Sequence, residues 1–375
     1  MTHPSDAGPR AEIFENTPAR PLPLAVTMGE PGGVGGEITL KAWRLLRREN
    51  APFFVIDDPD RLRRIVKDQI GAAGPDAPNA ANAIDVAEIA APEDASGIFA
   101  DALPVLSLGA PITATAGKAE AKNARAVIRS IEHAVTLALD GVVAAVVTNP
   151  IQKASLIESG FEFPGHTEFL GALTDAKSIR KTGVAGGQTR GPVMMLSSPA
   201  LKVVPVTVHL PLSEAVRALT LELIVRTARV TYESLVRDWN ITAPRIVLSG
   251  LNPHAGEDGA LGEEDAAIIA PAVRALRAEG IDARGPAPAD TLFHAEARET
   301  YDAALCMYHD QALIPAKTLA FHEAVNVTLG LPIIRTSPDH GTALDIAGAG
   351  VARPDSLIAA IRLARELADN RATTR

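Results

Sequence analysis

The strongest constraint on the fold is an alternation that runs the length of the chain. Short, continuous apolar runs of strand length take turns with longer segments whose apolar residues recur at helical spacing. "PLPLAVTM" (21–28), "FFVIDD" (53–58) and "VVAAVVT" (142–148) are such runs in the first half. "PVMMLS", "LKVVPVTVH", "RIVLSG", "DAALCMY" and "AVNVTLG" follow in the second. Runs that are apolar throughout, rather than at every other position, belong to strands buried on both faces. Between them lie helical patterns such as "DRLRRIVKDQIG", residues 117–141 with a terminal glycine, 219–238 and 263–279. This order predicts an α/β architecture with mostly parallel sheets and helices on both faces. Residues 71–103, rich in Ala, Pro, Asp and Asn, read as an irregular surface segment.

A chain of 375 residues exceeds one ordinary core, so two α/β/α domains are expected. We place the first at 21–160 plus 320–375 and the second at 161–319, with residues 1–20 a polar, disordered extension. The net charge of −9, without a basic block, argues against a nucleic-acid surface. Against that overall field, a phosphorylated substrate requires a local cationic pocket. Cys306 is the only cysteine, which excludes an intramolecular disulfide and fits a reducing cytoplasm. No apolar run approaches the roughly 18 residues of a membrane helix.

In open α/β sheets, ligands collect at the carboxyl ends of strands. His209, His254 and His309 each stand at or just after the end of a predicted strand, about one βαβ unit apart. Any one alone is more simply a helix cap. Three together, each in a polar turn, favour a divalent-metal site over three separate caps. In "FPGHTEFLG", His166 and Thr167 open a helix, where they suit both an N-cap and a face turned to an anionic ligand. "GEPGGVGGE" (29–37) lacks the lysine and hydroxyl of a phosphate loop, so its glycines are read as room for a close approach. Residues 325–354 form the densest polar stretch, with Asn326, Arg335, Asp339, His340 and Asp345 among glycines and apolar residues. Lys317 and Arg335 are the obvious cations for a phosphate or carboxylate. Asp290 in "ADT" suits an N-cap.

Taken in order, "TMGEPGGVGGE", "VTNPIQKASL", "FPGHTEFLG", "VTVHLPL", "LSGLNPHAGE", "PADTLF", "MYHDQALIPAK" and "VNVTLGLPIIRTSPDHGTALDIAGAGVA" resemble the 4-hydroxythreonine-4-phosphate dehydrogenase family. The last stretch is also similar to isopropylmalate dehydrogenases, which share a two-domain isocitrate dehydrogenase-like fold with the active-site cleft between the domains. The resemblance implies oxidation of 4-phosphohydroxy-L-threonine at its C3 hydroxyl, in pyridoxal 5′-phosphate biosynthesis. It implies NAD or NADP, one divalent ion (Zn, Mg or Co), and a homodimer with sites at the subunit interface. Motif by motif, it assigns the metal to His209, His254 and His309, and the substrate to His166, Thr167, Lys317, Asn326 and Arg335. The cofactor is expected on Asp339, His340, Gly341 and Asp345, and the general base is Asp290 or His166. The chain departs from the family's usual pattern at Glu30, Gly36, Ala312, Pro338 and Ala349, none of them an assigned ligand. Dehydrogenation of a related phosphorylated four-carbon acid, such as 4-phosphothreonate or 4-phosphoerythronate, or of a cyclic dihydrodiol, is the alternative. A phosphate acyltransferase or a non-catalytic binding protein would come from another class.

Overall fold

The computed structural model describes residues 21–73, 84–163, 165–182 and 191–373. The expected extension at 1–20 lies outside them. The strands are β1 (Leu24–Thr27), β2 (Phe53–Asp57), β3 (Val86–Ile89), β4 (Leu103–Ser107), β5 (Val146–Val147) and β6 (Val193–Ser197). They continue as β7 (Lys202–Pro205), β8 (Arg245–Ser249), β9 (Asp282–Ala287), β10 (Ala303–Cys306), β11 (Val325–Leu329) and β12 (Arg335–Pro338). The helices of the first half are α1 (Gly35–Leu46), α2 (Pro59–Ala73), α3 (Ala95–Ile98), α4 (Ala124–Leu139), α5 (Lys153–Glu158) and α6 (His166–Thr182). Those of the second are α7 (Leu212–Ala218), α8 (Leu221–Asp238), α9 (Ala270–Ala278), α10 (Ala295–Arg298), α11 (His309–Ala320) and α12 (Asp355–Thr373).

All the strands join one sheet in the order β3-β4-β2-β1-β5-β12-β11-β6-β7-β10-β8-β9. The first six are parallel to one another. β7, β10, β8 and β9 form a second parallel set. Three antiparallel steps, β12 to β11, β11 to β6 and β6 to β7, separate the sets. Three reversals turn the second set against the first. The two sets of carboxyl ends therefore lie on opposite edges of the sheet, with the antiparallel strands between them.

The face of those central strands positions the site. Across a ladder, paired residues point to the same side. Val146 pairs with Arg335, Thr328 with Met194, and Asn326 with Leu196. Val146 packs in a core with Phe169 and Leu170 of α6, and Met194 and Leu196 pack in another with Ala312 and Ala316 of α11. Helices α6 and α11 thus cover the face that carries Arg335, one on each side of it. The opposite face is closed by α12 and α8, whose apolar stripes join the largest core. Thr336 anchors α12 there, donating to the Ala360 carbonyl at 2.8 Å.

Four strands, β3, β4, β9 and β12, lie outside the runs predicted from sequence. β3 falls within 71–103; it is a four-residue, half-exposed edge strand and so has no continuous apolar run. β12 reads Arg-Thr-Ser-Pro yet is buried at the centre of the sheet. Arg335 faces the candidate site while Thr336 anchors α12 on the other face, and Pro338 sits at the strand end, where a missing N–H is tolerated. Conversely, "VVAAVVT" contributes only Val146 and Val147 to the ladder.

The glycine-rich loop is filled by protein. A Cβ on Gly32 would lie 1.9 Å from the Lys118 carbonyl oxygen, and one on Gly33 would lie 2.7 Å from that of Thr342. Val34 donates to the Thr342 carbonyl at 3.0 Å and Gly117 to that of Gly32 at 2.8 Å. Arg61 buttresses the loop by donating to the Pro31 carbonyl at 3.1 Å, while its guanidinium grips Asp57 at 2.5 and 3.0 Å. Both members of the pair are buried. Removing one partner would strand the other charge in the interior. Arg61→Met is therefore expected to cost about 3–5 kcal/mol of stability, measured by chemical denaturation, and adding Asp57→Asn should recover part of it.

Candidate functional site

Arg335 is 2 % exposed, and among the described residues no carboxylate pairs with it. Its guanidinium donates to the Thr148 hydroxyl at 2.6 and 3.1 Å, to the Thr328 hydroxyl at 2.9 Å and to the Asn326 side-chain oxygen at 3.4 Å. These acceptors are neutral. Burial pushes the group down to about 9, which still leaves it cationic at neutral pH. A buried cation solvated only by hydroxyls and an amide is an electrostatic vacancy for an anion. Asn326 and Arg335, assigned separately from sequence, are here one hydrogen-bonded unit. His166 joins them from the start of α6. Its Nε2 is buried without a partner, and burial, then Arg335, then Lys153, holds the ring well below the usual histidine range. It is neutral at pH 7. Thr167, next on the helix, is half-buried.

The three strand-end histidines follow β7, β8 and β10, which are adjacent in the sheet with β10 in the middle. His209 and His309 face each other with ring centroids 5.7 Å apart. His309 Nδ1 sits 2.7 Å from Asp310 Oδ1, which fixes its ring and leaves Nε2 outward. His209 is held below its ordinary range by burial, with Lys153 and His309 adding to the effect. His254 is not brought into this pair. Among the described residues, no group of three His, Cys, Asp or Glu side chains is close enough to hold an ion. His209 and His309, the latter oriented by Asp310, are thus two candidate ligands at one edge, and His254 stands on the neighbouring strand end. Both His209 (φ 55) and His254 (φ 52) adopt left-handed backbone, and His254 opens a left-handed turn running through Asp258. Non-glycine residues in that region cost on the order of 1 kcal/mol or more each and persist where the surroundings impose them.

What imposes them is a set of buried polar residues that the sequence reading missed. Gln311 accepts from Ser249 Oγ and from Met307 N, both at 2.7 Å, and donates to the Gly250 carbonyl at 2.7 Å. It therefore ties the exit of β8, which leads to His254, to the exit of β10, which leads to His309. Asp265 accepts from the backbone of Leu251 and Asn252 and from the Asn252 amide, holding the turn before His254. Thr207 binds the Met307 carbonyl at 2.8 Å and ties β7 to the same node. A glutamine inside a motif full of louder residues carries no sequence signal of this role; its three partners lie in two different loops.

Lys317 and Asp339, assigned to substrate and cofactor respectively, pair with each other at 2.9 Å. Both line a cavity of about 420 Å³ between α1, α11 and the loop after β12. Its floor is apolar, with Val34, Ile38 and Ile346, and His340 and Arg353 stand at its edge. That size lies in the range of small-molecule and cofactor sites. Gly341 and Asp345 are exposed beside it and do not line it. Asp290 is exposed on a short turn, 289–291, that packs against the 253–259 turn carrying His254. A smaller cavity of about 220 Å³ lies against His209, His309 and Asp310, with Leu210 and Leu212 on its wall.

A face of this kind suits an α/β enzyme acting on a small anion, not a module that binds a macromolecule. Comparison with known proteins narrows the class. The profile of the family described as pyridoxal phosphate biosynthetic protein PdxA matches residues 49–364. The chain is 55% identical over 349 residues to a 4-hydroxythreonine-4-phosphate dehydrogenase of Methylorubrum populi, covering 92% of this chain and 94% of that one. A namesake from Xanthobacter autotrophicus is 52% identical, covering 93% and 94%. The crystal structure of the Klebsiella pneumoniae 4-hydroxythreonine-4-phosphate dehydrogenase superposes with a TM-score of 0.77 at 36% identity, covering 92% of this chain and 99% of that one. The chain belongs to the PdxA family of oxidoreductases.

Two outcomes test this geometry. Gln311→Leu should leave the Met307 N–H, the Gly250 carbonyl and the Ser249 hydroxyl without partners and cost about 3 kcal/mol or more in denaturant unfolding. His166 supplies the pH dependence. Its folded form resists protonation, so the unfolded chain takes up a proton first as pH falls below about 6.5. The wild type should lose stability from that point downward, and His166→Asn should flatten this part of the pH–stability curve.

Proposed function

We propose that the protein oxidises 4-phosphohydroxy-L-threonine at its C3 hydroxyl with NAD or NADP and a divalent ion. The product, 2-amino-3-oxo-4-phosphooxybutanoate, then loses CO₂ to give 3-amino-2-oxopropyl phosphate. The observation that carries this reading is the buried, carboxylate-free Arg335 beside the neutral His166, on the sheet face shared with the His209–His309 pair. The names of the relatives supply the substrate.

The residues divide the work as follows. Arg335, with Asn326 hydrogen-bonded to it, binds and orients the anionic end of the substrate, and Thr167 is assigned to the same substrate. His209, His309 and, by a movement of its turn, His254 would hold the ion, and Asp310 orients His309. The 420 Å³ cavity with Asp339 and His340 would take part of the dinucleotide, Gly341 and Asp345 lying along its continuation. Lys317 belongs to both regions, since binding of an anion would draw it from Asp339. When bound, the ion supplies Lewis acidity toward the hydroxyl and the nicotinamide accepts the hydride. For the proton, His166 is favoured over Asp290: its buried Nε2 has no other partner, whereas Asp290 stands in solvent at the rim.

A homodimer closing the site is part of this reading. Leu210 and Leu212, beside the histidine pair, are 42% and 61% exposed, and Ile314 on α11 and Phe321 just after it are 65% and 68% exposed. Apolar surface this close to a polar site is best covered by a second copy. We place the enzyme in the cytoplasm, consistent with one buried, unpaired cysteine; no helix among the described residues is long and apolar enough to cross a membrane.

The test is NADH formation from 4-phosphohydroxy-L-threonine. Chelator should abolish it and a divalent ion restore it, and His309→Ala should lower bound metal and turnover together. Turnover unaffected by thorough chelation would reject the metal. Arg335→Lys should lose at least about tenfold in kcat/KM, since an ammonium does not reproduce a guanidinium fork. A preference for 4-phosphothreonate, 4-phosphoerythronate or a cyclic dihydrodiol would move the chain to the alternative substrate.

A further inference from the structure

We infer that Lys153 is a substrate-binding residue of this site, supplying the second positive charge, with Arg335, for the phosphate group. Lys153 opens α5, in the sequence "NPIQKAS", and its side chain turns toward the start of α6. A Cβ built on Gly165 would lie 3.5 Å from Lys153 Cε and 3.6 Å from its Nζ. These are ordinary contact distances, so the ammonium stands against the backbone directly before His166. The same point lies 3.2 Å from Glu168 Oε2, yet Lys153 and Glu168 form no ion pair. Among the described residues, Lys153 has no side-chain hydrogen bond or salt bridge. Its charge bears on His166, and Arg335 bears on His166 as well.

Lys153 and Arg335 both act on the one neutral ring, with Glu168 the nearby carboxylate, and an anion bound between them would engage both charges. A phosphate carries close to two negative charges at neutral pH and a carboxylate one, so the pair matches a phosphate. Lys317 is less suited to this role. It sits eight residues beyond His309, about 12 Å along the helix, and is already neutralised by Asp339. Lys153 is exposed and adjustable, whereas Arg335 is buried and fixed. The first can close on the phosphate that the second positions.

This inference rests on the proposed dehydrogenase reading for the identity of the substrate, so its test has two independent arms. The first is calorimetric titration of the full-length protein with inorganic phosphate. Lys153→Met, which keeps the length of the side chain and removes the charge, should weaken phosphate binding by about tenfold or more, and Lys153→Arg should restore most of it. The second compares KM for 4-phosphohydroxy-L-threonine with that for its dephosphorylated analogue. Lys153→Met should raise the first and spare the second, with the KM for the nicotinamide cofactor unchanged. The position is exposed, so thermal melting should match the wild type. Wild-type phosphate affinity in Lys153→Met, or an equal rise in both KM values, would overturn the assignment. Absence of NADH formation by the wild type would instead reject the dehydrogenase reading and leave the phosphate arm standing.

Discussion

The rest of the site depends on a positive charge buried in the middle of a sheet. Arg335 lies on β12, between β5 and β11, where the first parallel set gives way to antiparallel strands. A guanidinium in that position must be hydrogen-bonded on every side or it will not stay buried. Thr148, Thr328 and Asn326 satisfy it without cancelling its charge. The polar residues at the end of β5 and along β11 follow from that requirement. So does the placing of α6 and α11, whose apolar faces pack to either side and leave the guanidinium between them.

The second parallel set answers with imidazoles. Because its strands run opposite to the first set, its carboxyl ends are turned the other way, and His209 and His309 emerge from that edge to meet in a pair. The loops that carry them are tied together by buried polar side chains. Gln311 links two loop exits, Asp265 pins the turn before His254, and Thr207 adds β7 to the same network. Each of these residues spends its hydrogen-bonding capacity on main-chain groups that would otherwise be buried unsatisfied. The left-handed stretch from His254 to Asp258 is the least relaxed part of this arrangement.

The glycine-rich turn shows how a motif can mislead by its composition alone. Its N–H groups face the Pro150 and Thr342 carbonyls and the Glu30 side chain instead of an open phosphate cradle. The close approach anticipated there is real, but the partner is the chain itself. The nearby Asp57–Arg61 pair locks that approach from below. In contrast, the loop after β12 keeps a cavity open between itself, α1 and α11, and that cavity is where a cofactor has room.

The sequence by itself determined the α/β class, because buried apolar runs and helical periodicity are local patterns set by burial. It also supplied the candidates for the site: Arg335, Asn326, His166 and the strand-end histidines are legible as polar residues placed where a fold of this class exposes ligand-facing groups. It could not reveal β12 as a strand, since Arg-Thr-Ser-Pro has no strand signature and is extended only because Val146 and Val327 flank it on both sides. Nor could it pair Lys317 with Asp339, separate His254 from the other two histidines, or bring Lys153 beside Gly165 and His166. Those are contacts between residues far apart in the chain, decided by how the two parallel sets are joined through β11 and β6. Local propensity carries no record of that joining; only the packed sheet does.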